Sequence, residues 1–249
     1  MSRFTIFKMN ALRTSLNFIK REAKLAAKAA KLSWSSQISA NKIEKIKKSV
    51  VGLCTDAGEE VLHYASGVIF KEDKENYYVL TAAHAINKPK SILVAVGQNY
   101  LEAKGVIYHP EKLFYDIGLV KISKEGINPH DVNIISLAEP SDHKPIFDFP
   151  VIILGCRFLC QTDYEETFPQ IEINIVRGEA SQPRPKEGPL VIEGLLVIKG
   201  MVEEGFSGGP VVDMKGKLVG IMFAALTFTS LATPINVIKK FVKESLFKI

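Results

Sequence analysis

Cleaving a peptide bond without a metal needs a nucleophile, a base to activate it, a group that orients the base, and donors for the oxyanion that develops. Three segments of this chain carry those residue types, in order. In Val79-Leu80-Thr81-Ala82-Ala83-His84, an apolar run ends in small residues that let the backbone turn tightly and present an imidazole. In Tyr115-Asp116-Ile117-Gly118-Leu119-Val120, a carboxylate stands at the mouth of an apolar strand, where it can be buried against an imidazole N–H. In Gly205-Phe206-Ser207-Gly208-Gly209-Pro210, a hydroxyl is flanked by glycines that permit backbone conformations other residues resist. The N–H groups of Gly205 and Ser207 can then face one small pocket. Taken singly, these are a structural histidine, a strand-start aspartate and a glycine turn. Together they have the parts of a Ser-His-Asp triad with an oxyanion hole.

The chain order excludes one alternative. Gly205-Phe206-Ser207-Gly208-Gly209 satisfies G-x-S-x-G, but an α/β-hydrolase needs its acid and histidine after the serine. All five histidines, His63, His84, His109, His130 and His143, precede Ser207.

The elements that must position these groups read as short strands. From Val50 onward, apolar runs rich in Val, Ile, Leu, Phe and Tyr alternate with Gly, Pro, Asn and Asp turns. The runs are Val50–Leu53, Ala65–Phe70, Tyr77–Thr81, Ile92–Val96, Ile117–Ile122, Val151–Leu154, Ile171–Val176, Leu195–Ile198, Val211–Val212, Leu218–Phe223 and Leu231–Thr233. Such spacing predicts an all-β barrel or sandwich. Lys215-Gly216 marks a hairpin tip. Ile238, Val242 and Leu246 recur at helical spacing, so 235–247 reads as a closing helix. Residues 218–238 carry no charge and are long enough to span a bilayer, but their polar residues and Pro234 read better as two strands joined by a polar turn.

The first 48 residues are different. Leu12, Leu16, Ile19 and Ala23 predict a basic amphipathic helix over residues 1–32, followed by a linker, Ser33 to Ser39, and a short helix over 41–48. Residues 1–50 hold twelve Lys or Arg against two acids, a charge of +10, so the remainder carries −5 of the net +5. Three readings of this arm stand side by side: a mitochondrial transit peptide, a solvated arm that addresses nothing, and a segment that contacts an anionic membrane surface or nucleic acid. Charged residues interrupt every stretch that could serve as a secretory signal, so the protein is expected inside the cell, in mitochondria or cytoplasm; of the contacts open to the arm, a membrane surface is expected and nucleic acid is not. The domain division expected is 1–48 for the arm and 49–249 for the folded body. Cys54, Cys156 and Cys160 are too few for a disulfide framework and lack the partner spacing of a metal site. They read as buried thiols, and no metal or cofactor is expected.

At this point the chain resembles the trypsin-like serine peptidase family, in its HtrA/Deg branch. Thr81–His84, Asp116–Leu119 and Gly205–Pro210 match the family's three signature segments, with the three functional positions separated by 32 and 91 in residue number. His109-Pro110, the first strand Ser49-Val50-Val51-Gly52-Leu53 and the junction Thr233-Pro234-Ile235-Asn236-Val237-Ile238 are similar as well. The resemblance implies two six-stranded antiparallel β-barrels with a cleft between them and a C-terminal helix. It implies a serine endopeptidase acting on protein or peptide substrates, with His84 as base, Asp116 as orienting acid, Ser207 as nucleophile, and Gly205 and Ser207 as oxyanion donors.

It further implies that Met201 floors the primary specificity pocket and that Phe223, Ala224 and Ala225 border the substrate channel, favouring cleavage after small to medium apolar residues. Glu203 and Glu204 are expected to turn to water. Departures from the family pattern matter. Phe206 stands where zymogen-activated members have an aspartate, so Lys48-Ser49-Val50-Val51-Gly52, which looks like an activation site, would lack its partner. Ala85 replaces the disulfide cysteine of secreted members. The chain ends at Ile249, so regulation by an appended PDZ domain is not expected. The alternative function is a binding module that kept the barrels and lost catalysis.

Overall fold

The computed structural model describes residues 38–56, 62–87, 89–108, 115–139, 149–159, 169–181, 195–226 and 229–249. The basic helix expected over 1–32, His109-Pro110 and Cys160 lie outside the described residues. One compact unit runs from Ile38 to Ile249. It opens with α1 (Ala40–Lys47), capped by Ser39, whose hydroxyl accepts the Lys42 N–H at 3.3 Å. Ile38 and Ile46 are buried in the main core cluster, so α1 packs with the barrels that follow a boundary read at residue 49.

Six strands follow: β1 (Val50–Asp56), β2 (Leu62–Glu72), β3 (Asn76–Thr81), β4 (Ser91–Val96), β5 (Asn99–Tyr108) and β6 (Gly118–Ser123). They close into an antiparallel barrel in the order β1-β2-β3-β6-β5-β4. Six more, β7 (Phe149–Leu159), β8 (Gln170–Ser181), β9 (Leu196–Lys199), β10 (Pro210–Asp213), β11 (Leu218–Ala225) and β12 (Thr229–Pro234), close a second barrel in the order β10-β11-β12-β9-β8-β7. α2 (Ile235–Ser245) ends the chain, burying Ile235, Ile238 and Phe241. The uncharged stretch 218–238 is therefore β11, β12 and the start of α2, and no described helix is long and apolar enough to cross a membrane.

Closure explains why the runs are so apolar. Successive strand side chains point to opposite faces. On β3, Tyr77 and Val79 pack in the cluster that fills the first barrel, while Tyr78 and Leu80 join the larger cluster that includes the second barrel. Both faces of β3 are buried, so its sequence shows no polar alternation. β5 is the opposite case, and the pattern of apolar runs does not reveal it. Its residues are exposed or half-buried throughout, and Glu102 and Lys104 interrupt it, so no apolar run forms. Lys215-Gly216 does sit at a hairpin tip, with Gly216 at φ +78 and the buried Asp213 carboxylate accepting the Lys215 and Lys217 N–H groups, each at 2.9 Å.

Candidate active site

β3 delivers the histidine. It ends at Thr81, Ala82 is fully buried, and one 3-10 turn, Ala83–Ile86, follows. That turn holds the His84 side chain half in solvent, 50% exposed. β6 delivers the acid from just before its first residue. A side chain at Gly118 would meet Ile86 Cδ1 at 2.3 Å, so the bare glycine lets the Asp116 segment lie directly against the histidine turn. Asp116 then engages His84 twice. Oδ1 accepts the His84 backbone N–H at 2.8 Å, and the ring Nδ1 hydrogen-bonds Oδ2. An ionised carboxylate can only accept. The pairing therefore suits the tautomer with its proton on Nδ1, which leaves Nε2 as the acceptor.

Ser207 comes from the other barrel, on the turn before β10. Gly205 at φ +91 and Gly208 at φ +85 occupy the left-handed region that side chains resist. Space demands glycine too: a Cβ at Gly205 would meet the Cys156 carbonyl oxygen at 2.4 Å, and one at Gly208 the Ser66 carbonyl oxygen at 2.0 Å. The turn is tied to both barrels. Gly208 N–H donates to the Met222 carbonyl at 2.7 Å, and the Ser207 carbonyl accepts the Ser66 N–H at 2.7 Å. Phe206 is 1% exposed, with its ring against Gly155. Among the described residues, no group accepts a hydrogen bond from the backbone N–H of Gly205 or of Ser207.

His84 and Ser207 line one cavity of about 410 Å³, together with His63, Tyr64 and Asn87. Ser207 also lines a second, of about 570 Å³, with Tyr64, Arg157, Phe158, Glu203, Glu204 and Gly205. The structure thus gathers His84, Asp116, Gly205 and Ser207. It does not bring in the pocket residues in the same way. Met201 is 69% exposed and lines neither cavity. Phe223 is half-buried against the core of the first barrel, Ala224 is half-buried and Ala225 exposed. Glu203 and Glu204 are exposed, as expected, but they border the cavity beside Ser207. Such a groove can hold an extended peptide, offer its carbonyl to a hydroxyl and receive a proton on an imidazole.

Sequence reasoning missed Ser66 and Tyr64. Ser66 is a fully buried polar residue within an apolar strand, and that mismatch is the only local signal it gives. Cys54 and Cys156 are buried thiols, and no group of three or more metal-ligating side chains occurs among the described residues.

The family model described as "Trypsin-like peptidase domain" matches residues 65–221, a span that includes His84, Asp116 and Ser207. Among curated proteins, the chain is 26% identical over 233 residues to a "Serine protease HtrA-like" of Staphylococcus epidermidis, covering 89% of this chain and 37% of that one. It is 23% identical over 185 residues to a protein of the same description from Staphylococcus aureus, covering 72% of this chain and 23% of that one. The match therefore spans well under half the length of these relatives. Among solved structures, the fold is similar to an inactive form of Rv3671c from M. tuberculosis, with a TM-score of 0.59 at 17% identity over 84% of this chain and 93% of that one. The active form of the Rv3671c protease gives a TM-score of 0.60 at 20% identity, over 83% of this chain and 84% of that one.

Proposed function

The chain belongs to the trypsin-like peptidase domain family, and from that premise we propose that it is a serine endopeptidase whose triad is His84, Asp116 and Ser207. The observation that carries this reading is the double engagement of His84 by Asp116 at the rim of a cavity that Ser207 also lines. In the proposed reaction Ser207 Oγ attacks the carbonyl carbon of the scissile peptide. His84 Nε2 takes the hydroxyl proton as the bond forms, and Asp116 stabilises the resulting imidazolium without itself becoming protonated. The Gly205 and Ser207 N–H groups, which no described residue occupies, receive the oxyanion. His84 then gives its proton to the leaving amine. Water repeats the sequence on the acyl-enzyme, regenerating Ser207 and releasing the carboxylate product.

For substrates, the same reading favours peptides with a small to medium apolar residue before the scissile bond; Met201 and Ala225, which are exposed, would have to close with the half-buried Phe223 and Ala224 around that residue when a peptide binds. The test is hydrolysis of a peptide library by purified protein, with a fluorophosphonate probe reporting Ser207. Turnover and labelling that both vanish in Ser207→Ala support the reading. A well-folded wild type that neither cleaves nor labels would leave the family's fold used as a binding module.

A further inference from the structure

Ser66 stands in β2 of the first barrel, fully buried, and each of its polar groups is engaged. Its N–H donates to the Ser207 carbonyl at 2.7 Å. Its hydroxyl donates to the Gly205 carbonyl at 2.5 Å and accepts the Cys156 N–H at 2.7 Å. Its own carbonyl accepts the Thr81 hydroxyl at 2.7 Å. One residue of the first barrel therefore holds the carbonyls of both residues whose N–H groups form the proposed anion pocket in the second. It also ties them to Thr81, three residues before the histidine, and to the β7 backbone at Cys156.

We infer that Ser66 is a positioning residue for catalysis, whose hydroxyl fixes the Gly205 N–H in the oxyanion-binding orientation; this assignment rests on the endopeptidase reading above. The argument starts from torsional freedom. Glycine populates both signs of φ readily, so Gly205, at φ +91, is the joint about which this loop can turn. Two peptide planes meet there. One carries the Gly205 N–H and the other its carbonyl. The Ser66 hydroxyl clamps the second plane, and the Ser66 N–H holds the carbonyl two residues further on. With the Gly205 and Ser207 carbonyls both held, the loop cannot turn as a unit without breaking one of these hydrogen bonds, so the plane that carries the Gly205 N–H is anchored at a fixed Cα. Without the hydroxyl, the Gly205 carbonyl and the Cys156 N–H both lose a buried partner, and the loop gains by turning to find others. A preorganised donor is worth more in the transition state than in the ground state, so the loss falls on kcat rather than on substrate binding.

The experiment compares wild type, Ser66→Ala, Ser66→Cys and Ser207→Ala on one good peptide substrate, with thermal unfolding recorded for each. Ser66→Ala is expected to lower kcat by about 10- to 100-fold, less than the complete loss of an oxyanion donor, with KM within about twofold. Its rate of labelling by a fluorophosphonate should fall in parallel. Ser66→Cys, which keeps the volume and a weak donor, is expected to recover part of the loss. A folded Ser66→Ala or Ser66→Cys with wild-type kcat overturns the assignment, as does a rise in KM at constant kcat. If Ser66→Ala does not melt cooperatively, Ser66→Cys decides by the same criterion, and a Cys variant that also fails to melt makes Ser66 structural and overturns the assignment. Active wild type with inactive Ser207→Ala secures the underlying reading whatever Ser66 does. Wild type that neither turns over nor labels removes both.

Discussion

Phe206 and Gly155 are packed so closely that a Cβ at residue 155 would come within 2.3 Å of the Phe206 Cγ. An aromatic ring thus anchors the Ser207 turn where an activation-dependent relative would need an ion pair. The bond that such activation would cut is also withdrawn. Ser49 is fully buried, its N–H donates to the Ile46 carbonyl at 2.9 Å, and the Lys48 carbonyl accepts the Asn133 N–H at 3.0 Å. Full-length Lys48→Gln is therefore expected to be as active as wild type in a peptide assay. Activity that appears only after a cut at Lys48-Ser49 would contradict this. Phe206→Ala should cost about 3–5 kcal/mol in a denaturant melt, as expected for an emptied aromatic site. Gly155→Ala should lower activity by displacing the ring.

The triad residues are expected to act as a unit. Ser207→Ala and His84→Ala should each reduce kcat by several orders of magnitude, and the double variant by little more. Asp116→Asn retains the shape but presents an amide to the ring, which forces the other tautomer. It should cost on the order of 10⁴ in kcat. Steady-state kinetics on the four variants, with unfolding curves to show an intact fold, is the measurement. Additive losses in the double variant would argue against a triad.

The thiols offer a pH test. Burial pushes the Cys156 thiol from an ordinary 9.0 up to about 12, against a smaller opposing contribution from its contact with Ser66. The folded state therefore keeps this proton where the unfolded state loses it. The group's contribution to stability is fully present below about pH 9 and declines as pH rises from there toward 12. At pH 8, Cys54 and Cys156 should resist a thiol-specific reagent in the native protein and react after denaturation. Mild reductant should leave activity unchanged. Rapid native-state modification of Cys156 would contradict the burial.

Specificity is the prediction closest to the residues that the structure leaves exposed. A substrate Lys or Arg that enters an apolar pocket loses its hydration and needs a buried anion in return. Met201 offers only a thioether. Cleavage after Val, Ala, Leu or Met is expected to exceed cleavage after Arg by at least about tenfold, a difference of about 1.4 kcal/mol. Values of kcat/KM on matched peptides that differ at that position decide it. Preference for Arg would assign the pocket to Glu203 and Glu204, which border the cavity beside Ser207, in place of Met201.

The sequence alone determined what depends on neighbouring residues. Strand runs, the hairpin at Lys215-Gly216, the closing helix and the three site segments were legible because periodicity and glycine torsions are local properties. β5 was not, because a half-exposed strand with Glu102 and Lys104 carries no apolar run. Only the tertiary structure decided which distant groups touch. Ser66 reaches the Gly205 carbonyl across 139 residues, and the Phe206 ring finds Gly155 on β7. The first contact follows from how two closed barrels meet and the second from the pairing of β7 with β10 inside one barrel, and neither partner can be read from the residues beside it in the chain. The same reason separates Met201 from Glu203 and Glu204. Position in the chain says how far each stands from Ser207, whereas the path of the backbone through the turn decides which side chains border the cavity.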